Sequence, residues 1–195
     1  MRVALVAATT AHHESSDAAE RLQRVATLLA ERDHDVVVFS AKWWDGGFDE
    51  FHHEDVRYRA VTTRPSASSF ATRLVSKLRG ADPDVIHAVC EPPGHLLGAR
   101  LGAAVARVPY VVECYDPPRQ RHRLDDYLYR GGIAGAGSLV TPSRTVKTRI
   151  RESGLPGERI EVIPTGIDFD LIRRTEPADA GDIVFSRYLD GASNL

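Results

Sequence analysis

The residues best suited to chemistry in this sequence stand just after short apolar runs. Glu113-Cys114-Tyr115-Asp116 is followed by Arg119, Arg121, His122 and Arg123. Tyr115 can hydrogen-bond a hydroxyl but is a poor base at neutral pH. Arg119 and its basic neighbours suit a phosphate-bearing acceptor or an anionic lipid surface, although a charge run of this kind is more often a solvated loop. Glu91 can accept hydrogen bonds from a polyol or sugar, or can simply favour the N-terminus of the helix that follows. The loop Thr9–Ser16 supplies Thr10, Ser15 and Ser16, with Ser15, Ser16 or Asp17 able to cap the next helix. His12-His13 is an adjacent pair with no third ligand in view, so no metal site is expected. Finally, Pro164 ends an apolar run, and Gly166 lets the backbone after Thr165 turn tightly and approach a ligand.

The elements that must position these residues alternate. Arg2–Ala8 is a continuous apolar run of strand length, as in parallel sheets covered on both faces. Asp17–Arg32 reads as a helix with Ala18, Leu22, Val25, Leu28 and Leu29 as its apolar stripe, and Val36–Phe39 as a second strand. Ser40–Asp55 reads as a loop whose Trp43 and Trp44 cover apolar surface. Val56–Val61, Asp84–Val89, Pro109–Cys114, Ser138–Thr141 and Arg159–Ile163 read as strands, with helices over Ser66–Leu78, Gly94–Arg107, Leu124–Ala134 and the segment capped by Ser143. His87 lies inside a strand pattern and reads as a core histidine. The rhythm implies an α/β, Rossmann-like, doubly wound and mainly parallel sheet with helices on both faces, ligands sitting at the carboxyl ends of the strands.

Bulk properties narrow the function classes. The 195 residues are 43% hydrophobic, enough for one good core. A formal charge of −2 gives no overall pull toward nucleic acid, and none is expected as a partner. Only Lys42, Lys77 and Lys147 are lysines, a bias that genome composition explains. Cys90 and Cys114 make no disulfide framework, the run Val3–Ala8 is too short for a signal-peptide core, and a cytoplasmic location is expected. The basic helix face of Arg144, Lys147, Arg149 and Arg151 can at most assist peripheral contact with the inner face of a membrane.

Ser143 through Asp168, above all Val162-Ile163-Pro164-Thr165-Gly166-Ile167-Asp168, closely resembles the segment before the interdomain hinge of family-4 glycosyltransferases of the GT-B fold, where the run is V-I-P-N-G-V-D. Pro83-Asp84-Val85-Ile86-His87 with Glu91-Pro92 and Pro109-Tyr110-Val111-Val112 resembles the same family, particularly its phosphatidylinositol mannosyltransferase branch. The resemblance implies an N-terminal acceptor-side domain over 1–170, then a hinge and the first strand of a donor domain over 171–195. It implies transfer of a sugar from a nucleotide-sugar to an acceptor hydroxyl, lipid-linked or phosphorylated, with retention, without a cofactor and without an obligatory metal. Tyr115-Asp116 stands where the family has His-Asp, making these two the catalytic candidates. Thr10, Ser15, Glu91, Tyr115 and Arg119 are then candidates for the acceptor. Ser15, Ser16, Thr165, Gly166 and, at the family's G-R position, Arg187 are candidates for the donor. The loop Thr9–Ser16 departs from the family in lacking glycine, and Thr165 replaces its asparagine. Because the family's main diphosphate contacts come from its second domain, this chain alone is expected to transfer weakly or not at all. The alternatives are a partner-dependent half of a split transferase, completed by a chain carrying the donor domain, and another Rossmann-like nucleotide binder. The absence of G-x-G-x-x-G after the first strand speaks against the latter.

Overall fold

The computed structural model describes residues 1–65, 69–90, 93–115, 123–152, 154, 157–167 and 169–176. The chain divides into two units, Met1–Thr165 and Gly166–Leu195. In the first, the strands are β1 (Arg2–Val6), β2 (Asp35–Ala41), β3 (Glu50–His53), β4 (Val56–Thr62), β5 (Val85–Val89), β6 (Tyr110–Glu113), β7 (Ser138–Thr141) and β8 (Ile160–Val162). The helices are α1 (Asp17–Ala30), α2 (Phe70–Ala81), α3 (Pro93–Ala106), α4 (Arg123–Ile133) and α5 (Arg144–Glu152). In the second unit the described residues include one short helix, α6 (Phe169–Arg174), which the sequence reading did not assign.

The described strands form one sheet in the order β3-β4-β2-β1-β5-β6-β7-β8. Every pairing is parallel except that of β3 with β4. From β1 the parallel strands run outward in chain order both ways, β2 then β4 on one side and β5 to β8 on the other, with antiparallel β3 added at the edge. The sheet is therefore doubly wound, with its switch point between β1 and β5. Apolar side chains alternate between its two faces. Ala4, Val6, Phe39, Ile86 and Val112 pack with Leu74, Leu78, Leu96, Ile133 and Ile150 from α2 to α5. On the other face Val3, Leu5, Val38 and Tyr58 pack under Leu22 and Ala26 of α1. Gly98 lets α2 and α3 meet closely, since a Cβ there would stand 2.6 Å from the Ala71 carbonyl oxygen.

Three local outcomes differ from the sequence reading. Glu50–His53 is a strand, not loop. It pairs with β4 through a two-residue turn in which Glu54 and Asp55 both take positive φ (47° and 59°), the geometry that tight hairpins require. The buried stripe of α1 is rotated toward Ala19, Leu22 and Ala26, leaving Leu28 41% exposed and drawing in Arg21. The second helix begins at Phe70; Ser66, Ala67 and Ser68 lie outside the described residues. The Ser143 cap matches expectation, since its Oγ accepts from the Val146 N–H at 3.2 Å above buried Val146 and Ile150.

Candidate functional site at the carboxyl ends of the strands

The first loop, between β1 and α1, is tied down. Thr10 is buried, its N–H donates to His13 Nδ1 at 3.1 Å, and its hydroxyl lies 3.0 Å from the same nitrogen. An imidazole that accepts a backbone N–H at Nδ1 is neutral, with its proton on Nε2. Burial lowers the pKa of His13 accordingly. His12 stacks on Trp43 with ring centroids 3.8 Å apart, and its Nε2 lies 3.4 Å from the Tyr58 hydroxyl. Its pKa is also lowered, by burial first and then by neighbouring His53. Trp44 donates to the Phe48 carbonyl at 3.0 Å and stacks on Phe51. Both tryptophans pack against the apolar core on this face of the sheet, and Trp43 also holds the loop by stacking on His12.

Of the serines in this loop, Ser16 caps α1, accepting from the Ala19 N–H at 3.3 Å, and Ser15 donates to Glu20 Oε1 at 2.6 Å. His12 and His13 join no metal-binding group; among the described residues no cluster of three or more His, Cys, Asp or Glu side chains could hold an ion.

A charged set stands at the tips of β5, β6 and β8. Glu113 ends β6 with only 3% of its surface exposed. Arg21 of α1, itself 8% exposed, pairs through Nε with Glu113 Oε1 and donates from Nη1 to the Pro164 carbonyl oxygen at 3.0 Å. His87 of β5 brings Nε2 to 3.2 Å from Glu113 Oε2, an ion-pair approach lying off the line of a good hydrogen bond. Burial pushes the Glu113 carboxyl up, but His87 and Arg21 together outweigh it and hold the group below its ordinary range. His87 is thus half-buried in a charged network, not in an apolar core.

Beside this set the Tyr115 hydroxyl lies 2.7 Å from Thr165 Oγ1. Two candidates 50 positions apart are brought into contact at the tips of β6 and β8. Thr10, Ser15 and Ser16 stand together in the first loop. Gly166 opens the second unit without a positive φ, so its turn needs no left-handed backbone. Asp116, Glu91, Arg119 and Arg187 lie outside the described residues. Arg21 was missed, and Glu113 was noticed only as one acid among several. The signals available were a cation flanking the apolar stripe of α1 and an acid closing an otherwise apolar strand.

An open, doubly wound α/β sheet with polar residues gathered at the carboxyl ends of its strands defines a Rossmann-like α/β protein. Residues 18–171 match the family model described as Glycosyltransferase Family 4, and the chain belongs to that family. No curated protein matches the sequence. Among solved structures it is similar to Anabaena Alr3699/HepE in complex with UDP, at 19% identity and a TM-score of 0.67 over 88% of this chain and 46% of that one. It is similar to a glycosyltransferase from Rickettsia africae at 16% identity and a TM-score of 0.64, over 90% and 46%. A UDP-GlcNAc 2-epimerase from Methanocaldococcus jannaschii shares the fold at 10% identity and a TM-score of 0.55, over 83% and 45%. The chain spans a little under half the length of these structures.

Proposed function

We propose that the chain supplies the acceptor-side half of a retaining glycosyltransferase that moves a sugar from a nucleotide-sugar to an acceptor hydroxyl, without an obligatory metal. The observation that carries this reading is the pairing of Tyr115 and Thr165 at the strand tips, within a family match that runs from α1 past the end of β8. A hydroxyl pair of this kind can orient a sugar or polyol hydroxyl by donating and accepting at once. Transfer must also stabilise the departing diphosphate. Arg21, a cation near these tips, is already engaged by Glu113 and the Pro164 carbonyl. The phosphate charge is therefore assigned to residues such as Arg187 and to a second domain, and the chain alone transfers weakly. A second reading is a partner-dependent half of a split transferase, in which another chain completes the donor side.

UDP-sugars are the first donors to test, because the HepE crystals hold UDP. Inositol-like polyol phosphates are the first acceptors, given the resemblance to the phosphatidylinositol mannosyltransferase branch. The buried thiols of Cys90 and Cys114, neither of them in a disulfide, favour a reducing, cytoplasmic setting. Among the described residues no helix is long and apolar enough to cross a membrane, and membrane contact is proposed only as peripheral. The test is a thermal-shift comparison of UDP-sugars, nicotinamide cofactors and S-adenosylmethionine, followed by transfer assays with and without a donor-domain partner. Stabilisation by UDP-sugars with partner-dependent transfer is expected; stabilisation by the other cofactors alone would overturn the reading.

A further inference from the structure

The Arg21–Glu113 pair poses a problem of energetics. A buried ion pair is often no more stabilising than apolar side chains of the same volume, because two charges have lost their water. Here both partners are nearly sealed from solvent, 92 positions apart in the chain. The geometry supplies a reason to keep the charges. A guanidinium offers several N–H donors in one rigid plane, so one side chain can serve two acceptors on different elements. Arg21 does so, taking the Glu113 carboxylate with Nε and the Pro164 carbonyl with Nη1. An apolar replacement could fill the space but could not hold that carbonyl. Pro164 follows the last ladder bond of β8, the Ile163 N–H to the Thr141 carbonyl at 2.9 Å, and the next residue is Thr165, whose hydroxyl meets Tyr115. His87 flanks the second oxygen of Glu113 and so fixes the carboxylate that Arg21 grips.

We propose that Arg21 is a positioning residue: by taking Glu113 and the Pro164 carbonyl together it sets where the β8 exit stands, and so where the Thr165 hydroxyl meets Tyr115. The role rests on the reading of the strand tips as the site, but it makes a structural claim that can be tested without any ligand. The test is amide hydrogen exchange, followed by NMR on the full 195-residue chain. The double variant R21M/E113L replaces the ion pair by apolar side chains and leaves no buried charge unpaired. Its thermal midpoint and the exchange of Leu5 and Val38 in the sheet centre are expected to stay near wild type. Ile163, whose N–H is bonded to the Thr141 carbonyl, is expected to exchange about tenfold faster, as loss of a hydrogen bond from a charged donor implies. Unchanged protection at Ile163, or equal acceleration throughout the sheet, would overturn the proposal, the latter because it would reveal a merely structural role. If the double variant does not fold, R21K decides. It keeps the charge but loses the planar fork, and acceleration confined to Ile163 supports the proposal whereas uniform or absent change overturns it. A chain that ignores every UDP-sugar yet behaves as described in exchange would sink the functional reading and leave this one standing.

Discussion

The two ends of the sheet's carboxyl edge hold their polar groups by opposite means. Around β2 and β4, His12 and His13 lie against Trp43, Tyr58 and the Thr10 backbone, where burial drives them toward the neutral form. Around β5, β6 and β8, Glu113 is buried more deeply yet stays ionised because Arg21 and His87 face it. A group without an opposite charge surrenders its own, while one with a partner keeps it. The aromatic end is therefore a packed wall that holds the first loop in place. The charged end keeps polar groups fixed at the strand tips, where the Tyr115 and Thr165 hydroxyls meet.

The largest expected effect comes from breaking the charged end on one side only. Arg21→Met leaves the buried Glu113 carboxylate with only His87 beside it, costing about 3 kcal/mol in chemical denaturation, while R21M/E113L recovers most of it. An equal loss in both variants would mean that the charges themselves stabilise the fold. Next, Trp43→Ala should cost about 2 kcal/mol, less than a fully buried tryptophan because the side chain is half-buried. It should also speed exchange in the His13 and Glu14 amides, which bond to the Thr10 carbonyl, and leave Ile163 unchanged.

Acid should separate the two ends by pH. His12 and His13 have folded pKa values below their ordinary 6.5, so the unfolded chain takes up protons first and stability falls as pH drops below about 6.5. His95 adds to this loss: it is buried beside the Val89 carbonyl, which it meets through Nε2, and its pKa is pushed down to about 4, mainly by burial. Glu113 is depressed as well, and its contribution, complete above its ordinary 4.5, is lost only as pH falls below that value. In stability-against-pH curves, His12→Gln and His13→Gln should flatten the decline between neutrality and pH 5, and Glu113→Gln the decline below about 4.5. The smallest effect on the fold is expected from Tyr115→Phe. Its partner Thr165 is exposed, so unfolding should shift by less than about 0.5 kcal/mol while transfer in the completed enzyme falls.

The parts of this molecule that follow from local rules were legible in the sequence. Ser138–Thr141 is an apolar run closed by proline, and Ser143 opens a helix whose Val146 and Ile150 lie one turn apart, so both elements and the cap could be read directly. The hairpin at Glu50–His53 could not, because its turn is Glu54-Asp55 and lacks the glycine or asparagine that usually marks positive φ. Arg21 was hidden for a different reason. Its partners are 92 and 143 positions away, and a charged residue on a helix flank normally means solvent. Tyr115 and Thr165 were each readable as candidates, but their contact depends on the parallel order β6-β7-β8, which no local pattern encodes.

The most direct test of the strand-tip site is a titration of the isotope-labelled chain with UDP-glucose and with an inositol phosphate, followed amide by amide. Shifts are expected at Tyr115, Thr165 and Ser16, with the amides at the C-terminal ends of α2 and α3, at the far edge of the sheet, unmoved. Shifts confined to the amino-terminal edge of the sheet, or none at any soluble concentration of either ligand, would contradict the assignment of the carboxyl edge as the place where this chain meets its substrates.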